Sequence, residues 1–116
     1  MNLNEEPLFE MANIKRQRSG LSAEIWVDSG SSSRRLPHDE ACVKLHKPDY
    51  NIEISIEAKP RILAKPEGLS ISKAKREFRD AIDFVGKYFE IFQQHYDGIY
   101  DDADLFDELR KVKAIK

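Results

Sequence analysis

The chain has 116 residues, 41% of them hydrophobic and 34% charged, and its formal net charge is −2. This composition is typical of one small soluble domain and argues against a strongly nucleic-acid-binding or membrane-binding surface. No apolar run approaches the roughly 20 residues that cross a bilayer, and the first residues are acidic where a signal peptide is basic. The single cysteine, Cys42, excludes an internal disulfide and fits a reducing cytoplasm.

The first two thirds of the chain read as an N-terminal arm followed by short strands. Residues 1–7 are polar and end at Pro7, so we predict a flexible arm before a single domain of residues 8–116. Alternation of apolar and polar residues, imperfect in the first segment, predicts strands over residues 8–15, 22–28, 41–46 and 50–57. Residues 61–64 lie between two prolines and fit a short edge strand.

Two features between the second and third predicted strands are candidates for binding. Trp26 lies on the face of its strand opposite Ile25 and Val27, so that face is partly covered or Trp26 is exposed and accessible to a partner. Residues 29–40, with four serines, Gly30 and Pro37, are predicted to form a mobile loop, and loops of this length are often functional. The predicted binding residues are Trp26, Arg34, Arg35, His38, Asp39 and Glu40.

Residues 70–96 carry the clearest periodic pattern. Their apolar residues recur at steps of three and four, which predicts one long amphipathic helix with the stripe Ile71, Ala74, Phe78, Ile82, Val85, Phe89, Phe92 and Tyr96. Ser70 or Ser72 is the expected N-cap, and Asp97 with Gly98 the stop. Because such a stripe must be buried, we predict an α+β fold, with the helix covering one face of a mostly antiparallel sheet of three to five strands.

A short C-terminal helix is predicted over residues 102–112, with Leu105, Leu109 and Val112 on its buried face. Residues 97–108 hold six carboxylates before the first basic residue, Arg110. Helix capping and dipole compensation explain these carboxylates, and a docking or DNA-mimicking surface is the alternative. His95 is predicted to lie at the edge of the helical stripe.

Three short motifs follow one another in the middle of the chain. They are LPHDEACV at residues 36–43, ISIE at residues 54–57 with Pro60, and EGLS at residues 67–70 before the helical stripe. From about residue 13 to residue 98 this order resembles the domain of unknown function (DUF) 4160 family of small bacterial and mobile-element proteins. With Val43 as the anchor, Glu40 and Cys42 stand where that family has paired histidines. The resemblance implies an interaction or regulatory role, because the family often sits in gene pairs resembling toxin–antitoxin modules.

Every common type of transition-metal ligand occurs between residues 38 and 46, as His38, Asp39, Glu40, Cys42 and His46. Cys42 and His46 lie about 13 Å apart along the predicted strand, which is too far for one tetrahedral ion. A site would therefore use His38 and Glu40 with Cys42, or His46 with a distant ligand. A solvated loop leading into a strand explains these residues better, so we predict no metal and no cofactor.

A nuclease-like arrangement follows the strand predicted over residues 50–57. Glu57 and Lys59 face the same way, as a carboxylate that holds Mg²⁺ and a lysine that activates water must. Asp49 is about 26 Å from Glu57 along extended chain, so Asp28 or Asp39 would have to complete the set. An ordinary alternating strand is the preferred explanation. The alternative catalytic residues are Asp28, Asp39, Glu57 and Lys59.

Basic residues occur in two groups that could contact phosphates: Lys15, Arg16 and Arg18, and then Arg34 and Arg35. The predicted second strand separates the two groups, so weak nucleic-acid binding is an alternative only. No Ser-His-Asp order, phosphate-binding loop or dinucleotide fingerprint occurs. We therefore predict a cytoplasmic, non-enzymatic interaction or regulatory protein that acts through a protein partner or self-association, and the family resemblance implies a toxin–antitoxin or phage component.

Overall fold

The computed structural model describes residues 11–28 and 40–116. In these residues five strands form one antiparallel sheet in chain order, so each strand pairs with its neighbours in the sequence. The strands are β1 (Met11–Ile14), β2 (Glu24–Asp28), β3 (Cys42–His46), β4 (Asn51–Ser55) and β5 (Ile62–Ala64). The predicted α+β class and antiparallel sheet are confirmed, and the predicted N-terminal arm lies outside the described residues.

The two faces of the sheet separate apolar from polar side chains, as alternation along each strand requires. One cross-strand row joins Ile14, Ile25, Leu45 and Ile52, and every member of it is buried. On the opposite face the corresponding row joins Asn13, Trp26, Lys44, Glu53 and Ala64. The helices therefore pack against the first of these faces, and the prediction that Trp26 lies on the other face is confirmed.

Five helices occur in the described residues, and none of them is long and apolar enough to cross a membrane. They are α1 (Arg16–Ser19), α2 (Ile71–Glu77), α3 (Arg79–Lys87), α4 (Phe89–Tyr96) and α5 (Asp102–Lys111). Ser70 is the N-cap of α2, because its hydroxyl accepts a hydrogen bond from the Lys73 N–H at 3.1 Å. Gly98 has a φ of 83° just beyond α4, as a helix stop requires.

The prediction of one long helix over residues 70–96 is wrong, because the segment forms three consecutive helices. The helix is interrupted at Phe78 and at Tyr88, where φ is −113° and −112°. At the first break, the Glu77 carbonyl would accept the Ala81 N–H in a continuous helix. It accepts a hydrogen bond from Lys47 Nζ instead, and the Ala81 N–H donates to Asp80 Oδ1 at 2.7 Å. A side chain from the β3–β4 connection thus enters the helical ladder, which is a recognised cause of kinks.

Burial along α2 to α4 follows the predicted stripe with two corrections. Ala74, Phe78, Val85 and Phe92 are buried in the core, as the three-and-four spacing predicts. Ile71 was placed on the buried stripe, but it is the first residue of α2 and its side chain is 52% exposed. His95, predicted to lie at the edge, is only 1% exposed, and its Nε2 hydrogen bonds to Asp102 Oδ1 at 2.7 Å.

The carboxylates around the start of α5 form hydrogen bonds and ion pairs with nearby residues of the chain. Asp101 caps the helix by accepting from the Asp104 N–H at 2.8 Å, and the Asp104 carboxylate accepts from the Asp101 N–H in return. Asp107 and Glu108 pair with the basic residues three positions on, Arg110 and Lys111. Capping and local pairing therefore explain these carboxylates. Val112, predicted to be buried, is 47% exposed because α5 ends at the preceding residue.

At the first helix break, a hydrogen bond between Tyr50 and Glu77, called here the clamp, makes the stability of the fold depend on alkaline pH. The Tyr50 hydroxyl donates a hydrogen bond to Glu77 Oε1. Burial is the larger cause and this bond the second cause that raise the pKa of Tyr50 from 10.0 to about 12. Because the pKa is raised in the folded state, protonated Tyr50 contributes to the stability of the fold. This contribution is complete below pH 10 and is lost as pH rises to about 12. We expect the free energy of unfolding to fall more steeply over this range in the wild type than in Tyr50→Phe. Urea denaturation at stepped pH measures it, and equal slopes would contradict the clamp.

Candidate anion-binding cleft

Trp26 is held by its own neighbours on the open face of the sheet. Its indole stacks on the His46 ring with a centroid distance of 4.6 Å, and Lys44 Nζ lies 5.8 Å from the indole centroid. The indole N–H donates to Glu24 Oε1 at 2.9 Å, and this bond is the main reason that the pKa of Glu24 is lowered. The half-buried Trp26 thus has intramolecular contacts for its ring and its N–H, and these contacts leave it poorly suited as the principal docking group.

The Glu57 carboxylate belongs to a polar cluster that ties β4 to β5. It accepts hydrogen bonds from Ser55 Oγ and from Arg61 Nε, the latter at 2.6 Å. The Ser55 bond first, and Arg61 second, lower the pKa of Glu57. Arg61 also binds Glu40 Oε2 at 2.7 Å, so its guanidinium bridges two carboxylates. This arrangement gives Glu57 a structural partner and places it in the connection between two strands.

The remaining residues of the predicted sites fall into two groups. Arg34, Arg35, His38 and Asp39 lie outside the described residues, and of Asp28 only the backbone position, at the end of β2, is described. Of the other proposed metal ligands, Glu40 binds Arg61 and Cys42 is buried. Over residues 11–28 and 40–116 no three His, Cys, Asp or Glu side chains are grouped so that they could hold a metal ion.

In the first predicted group of basic residues, Arg18 is engaged by intramolecular contacts. Arg18 donates to the main-chain oxygen of Lys116 from two guanidinium nitrogens, at 3.3 and 3.2 Å, and lies 5.1 Å from the centroid of the Phe106 ring. Arg18 thus fastens the last described residue to α1. Lys15 and Arg16 are exposed beside it.

An open cleft of about 450 Å³ separates α3 from the β4–β5 connection. The less exposed of its lining residues, Ile82, Gly86 and Pro60, are apolar and are taken as its floor, and the exposed Ala58 lies toward the rim. The helical wall carries Lys75, Arg79, Asp83 and Lys87, and the opposite wall carries Lys59. The cleft volume lies within the range of small ligand sites, about 300–1,000 Å³.

The charges around this cleft are unbalanced. Among the residues that the structure describes, four cations and one carboxylate line it, and all five side chains are exposed. Across the described ranges no ion pair or hydrogen bond engages Lys59, Lys75, Arg79 or Asp83, and Lys87 lies 5.4 Å above the Tyr88 ring centroid. The excess positive charge sits on a chain with a net charge of −2, so it is a local feature of this surface.

Gly86 sets how closely α3 approaches the opposite wall. A Cβ atom at this position would lie 2.6 Å from the Ala58 backbone oxygen and 3.0 Å from Pro60 Cδ. Real Cβ atoms do not come this close to a backbone oxygen, so only glycine fits here. The absence of a side chain at residue 86 therefore brings the Lys59 wall against the helix and shapes the cleft.

The substitution Gly86→Ala tests this close approach through the sign of its effect. In an unobstructed helix, replacing glycine by alanine stabilises by about 1 kcal/mol. Here we expect the opposite, a loss of about 1–3 kcal/mol, because residues 58–60 must move away from α3. Urea denaturation of both proteins measures the difference. A more stable Gly86→Ala protein would contradict the packing described.

Most of this cleft could not be predicted from the sequence, although the charged residues of its helical wall follow a recognisable spacing. Lys75, Arg79, Asp83 and Lys87 recur every four residues, which places charged side chains along one side of a helix. Of the predicted site residues that the structure describes, only Lys59 lines the cleft, and Glu57, its proposed catalytic partner, does not. The pairing of this helical side with residues 58–60 depends on Gly86 and could not be read from spacing.

Comparisons with family models, with curated proteins and with solved structures found no match for this chain. The resemblance to the DUF 4160 family therefore stays a prediction.

Proposed function

We propose that this protein is a non-enzymatic binding protein whose working surface is the basic cleft, and that its partner is an acidic segment of another protein. The observation that supports this proposal is the set of four exposed cations around an apolar floor, with no carboxylate of the described chain paired to Lys59, Lys75 or Arg79. Unpaired cations at the edge of an apolar depression attract anionic groups, while the floor takes apolar side chains.

An acidic peptide fits this cleft better than a nucleic acid does. Single-stranded nucleic acids are held by aromatic side chains on which bases stack, and the cleft residues within the described ranges include no aromatic ring. Asp83 lies among the cations and would repel an unbroken row of phosphates. A peptide can alternate charged and apolar side chains, and can therefore satisfy both the rim and the floor.

The family resemblance suggests where the acidic partner of this cleft would be encoded. A cytoplasmic partner encoded beside this chain, as in a toxin–antitoxin pair or a phage module, would be expected to carry the acidic segment. Self-association through the same cleft is the other arrangement that the sequence predicts. In this case the acidic segment would come from a second copy.

A direct binding measurement tests the proposal. We expect a fluorescein-labelled peptide, Glu-Val-Glu-Val-Glu-Val-Glu, to bind the protein at low salt with a rise in fluorescence anisotropy. The affinity should fall as salt rises, since the screening length shortens from about 10 Å at 0.1 M to 3 Å at 1 M ionic strength. The matched control is the same peptide with glutamine in place of glutamate, which should not bind. Equal binding of the two peptides, or binding of neither, would contradict the proposal.

A further inference from the structure

We infer that Asp83 is a specificity-determining residue of the cleft, and that the preferred ligand is an extended acidic segment with a single cation in register with Asp83. This inference rests on the proposed function, because it specifies the charge pattern that the same cleft selects. It gives a role to the one carboxylate among the described residues that line the cleft, whose other charged groups are basic.

The spacing of charges along α3 favours an extended ligand. Arg79, Asp83 and Lys87 are four residues apart in one helix, so they are separated by about 6 Å along its axis at 1.5 Å per residue. In an extended peptide, side chains on the same face are two residues apart, which is about 6.6 Å. Three alternate side chains of a peptide can therefore face these three helix residues in turn.

The signs of the charges then define the ligand pattern. Arg79 and Lys87 each favour an acidic side chain, whereas Asp83, between them, favours a basic one. Lys75 stands four residues before Arg79 on α2 and favours a further acidic side chain at the adjoining end. The complementary segment is acid, acid, cation, acid at alternate positions. The side chains between them point away from the charged wall.

Asp83 is free to act in this way. Its side chain is exposed and lies on the cleft wall, and nowhere in the two described ranges does it form an ion pair or a hydrogen bond with the rest of the chain. A carboxylate held between Arg79 and Lys87 without a partner of its own weakens the attraction for a uniformly anionic ligand. It strengthens the attraction for one that presents a cation there.

Two peptides of identical composition and charge test the inference. The first is Glu-Val-Glu-Val-Lys-Val-Glu, whose lysine can face Asp83 with a glutamate on each side in either chain direction, and whose remaining glutamate faces Lys75 in one of the two directions. The second is Lys-Val-Glu-Val-Glu-Val-Glu, which cannot place its lysine between two glutamates. We expect the wild type to bind the first about 3-fold or more tightly than the second, and Asp83→Asn to lose this preference while still binding both.

The outcomes separate the two proposals. Equal affinity of the wild type for the two peptides, or an unchanged preference in Asp83→Asn, overturns the role of Asp83 and leaves the cleft as an unselective site for acidic segments. Binding of neither peptide overturns the role of Asp83 together with the proposed function. Tighter binding of a single-stranded oligonucleotide than of either peptide also overturns both, since a row of phosphates would then be the preferred ligand.

Discussion

Replacing Phe78 by alanine is expected to cost about 3–5 kcal/mol of folding free energy. The Phe78 ring is fully buried where α2 meets α3, and it contacts the Tyr50 ring edge to face, with a centroid distance of 5.4 Å. Lys47 Nζ, which binds the carbonyl at the helix break, also lies 4.9 Å from the Phe78 centroid. The substitution leaves a cavity beneath the kink and removes the ring against which Tyr50 of the clamp packs. Because domains of this size have only about 5–15 kcal/mol in total, the variant should be close to unfolding.

The matched control for this prediction is Ile71→Ala. Ile71 belongs to the same predicted stripe, but its side chain is 52% exposed, so its removal should change stability by no more than about 0.5 kcal/mol. Urea denaturation of the two variants measures both effects through the transition midpoint at constant slope. Similar losses for Phe78→Ala and Ile71→Ala would show that the stripe is not buried as described.

Reversing two charges of the cleft is expected to weaken peptide binding strongly without affecting the fold. In Lys75→Glu/Arg79→Glu, two attractive contacts with an acidic peptide become repulsive. We expect the affinity for Glu-Val-Glu-Val-Lys-Val-Glu to fall at least about 10-fold, or ~1.4 kcal/mol. Both side chains are exposed, so each substitution should change stability by no more than about 0.5 kcal/mol. Fluorescence anisotropy and urea denaturation of the same preparation measure the two effects.

The control for the charge reversal changes the same net charge elsewhere. Lys15 and Arg16 are exposed at the end of β1, and the cleft lies beside the β4–β5 connection. Four strand spacings of about 4.8 Å separate the two edges of the sheet, so these residues are about 19 Å from the cleft side. Lys15→Glu/Arg16→Glu should therefore retain most of the affinity. An equal loss in both variants would mean that net charge, and not the cleft, attracts the peptide.

The sheet and its covering face could be predicted from the sequence, because both depend on local periodicity. Ile52 and Ile54 define the buried face of β4, and Ala74, Phe78 and Val85, four and seven residues apart, define the helical face that covers it. Ser70 and Gly98 mark the helix ends through ordinary capping rules.

The helix break and the cleft could not be predicted in the same way, because distant residues cause them. Lys47 enters the helical ladder at Glu77, 30 positions along the chain, and nothing in the sequence of α2 or α3 signals that bond. Glycine is required at residue 86 only because the Ala58 backbone oxygen lies so close to it. His95 looked like an edge residue because its partner, Asp102, belongs to the next helix. Each of these errors concerns a contact between elements, which periodicity does not report.

The most direct test of the central claim is a map of where an acidic peptide contacts the protein. Isotope-labelled protein is titrated with Glu-Val-Glu-Val-Lys-Val-Glu, and the backbone amide shifts are followed by NMR. The cleft predicts the largest shift changes at Lys59, Arg79, Asp83 and Lys87, with little change at β1. Shift changes centred on Trp26 and the open face of the sheet, or the absence of any change at saturating peptide, would contradict the assignment of the cleft as the binding surface.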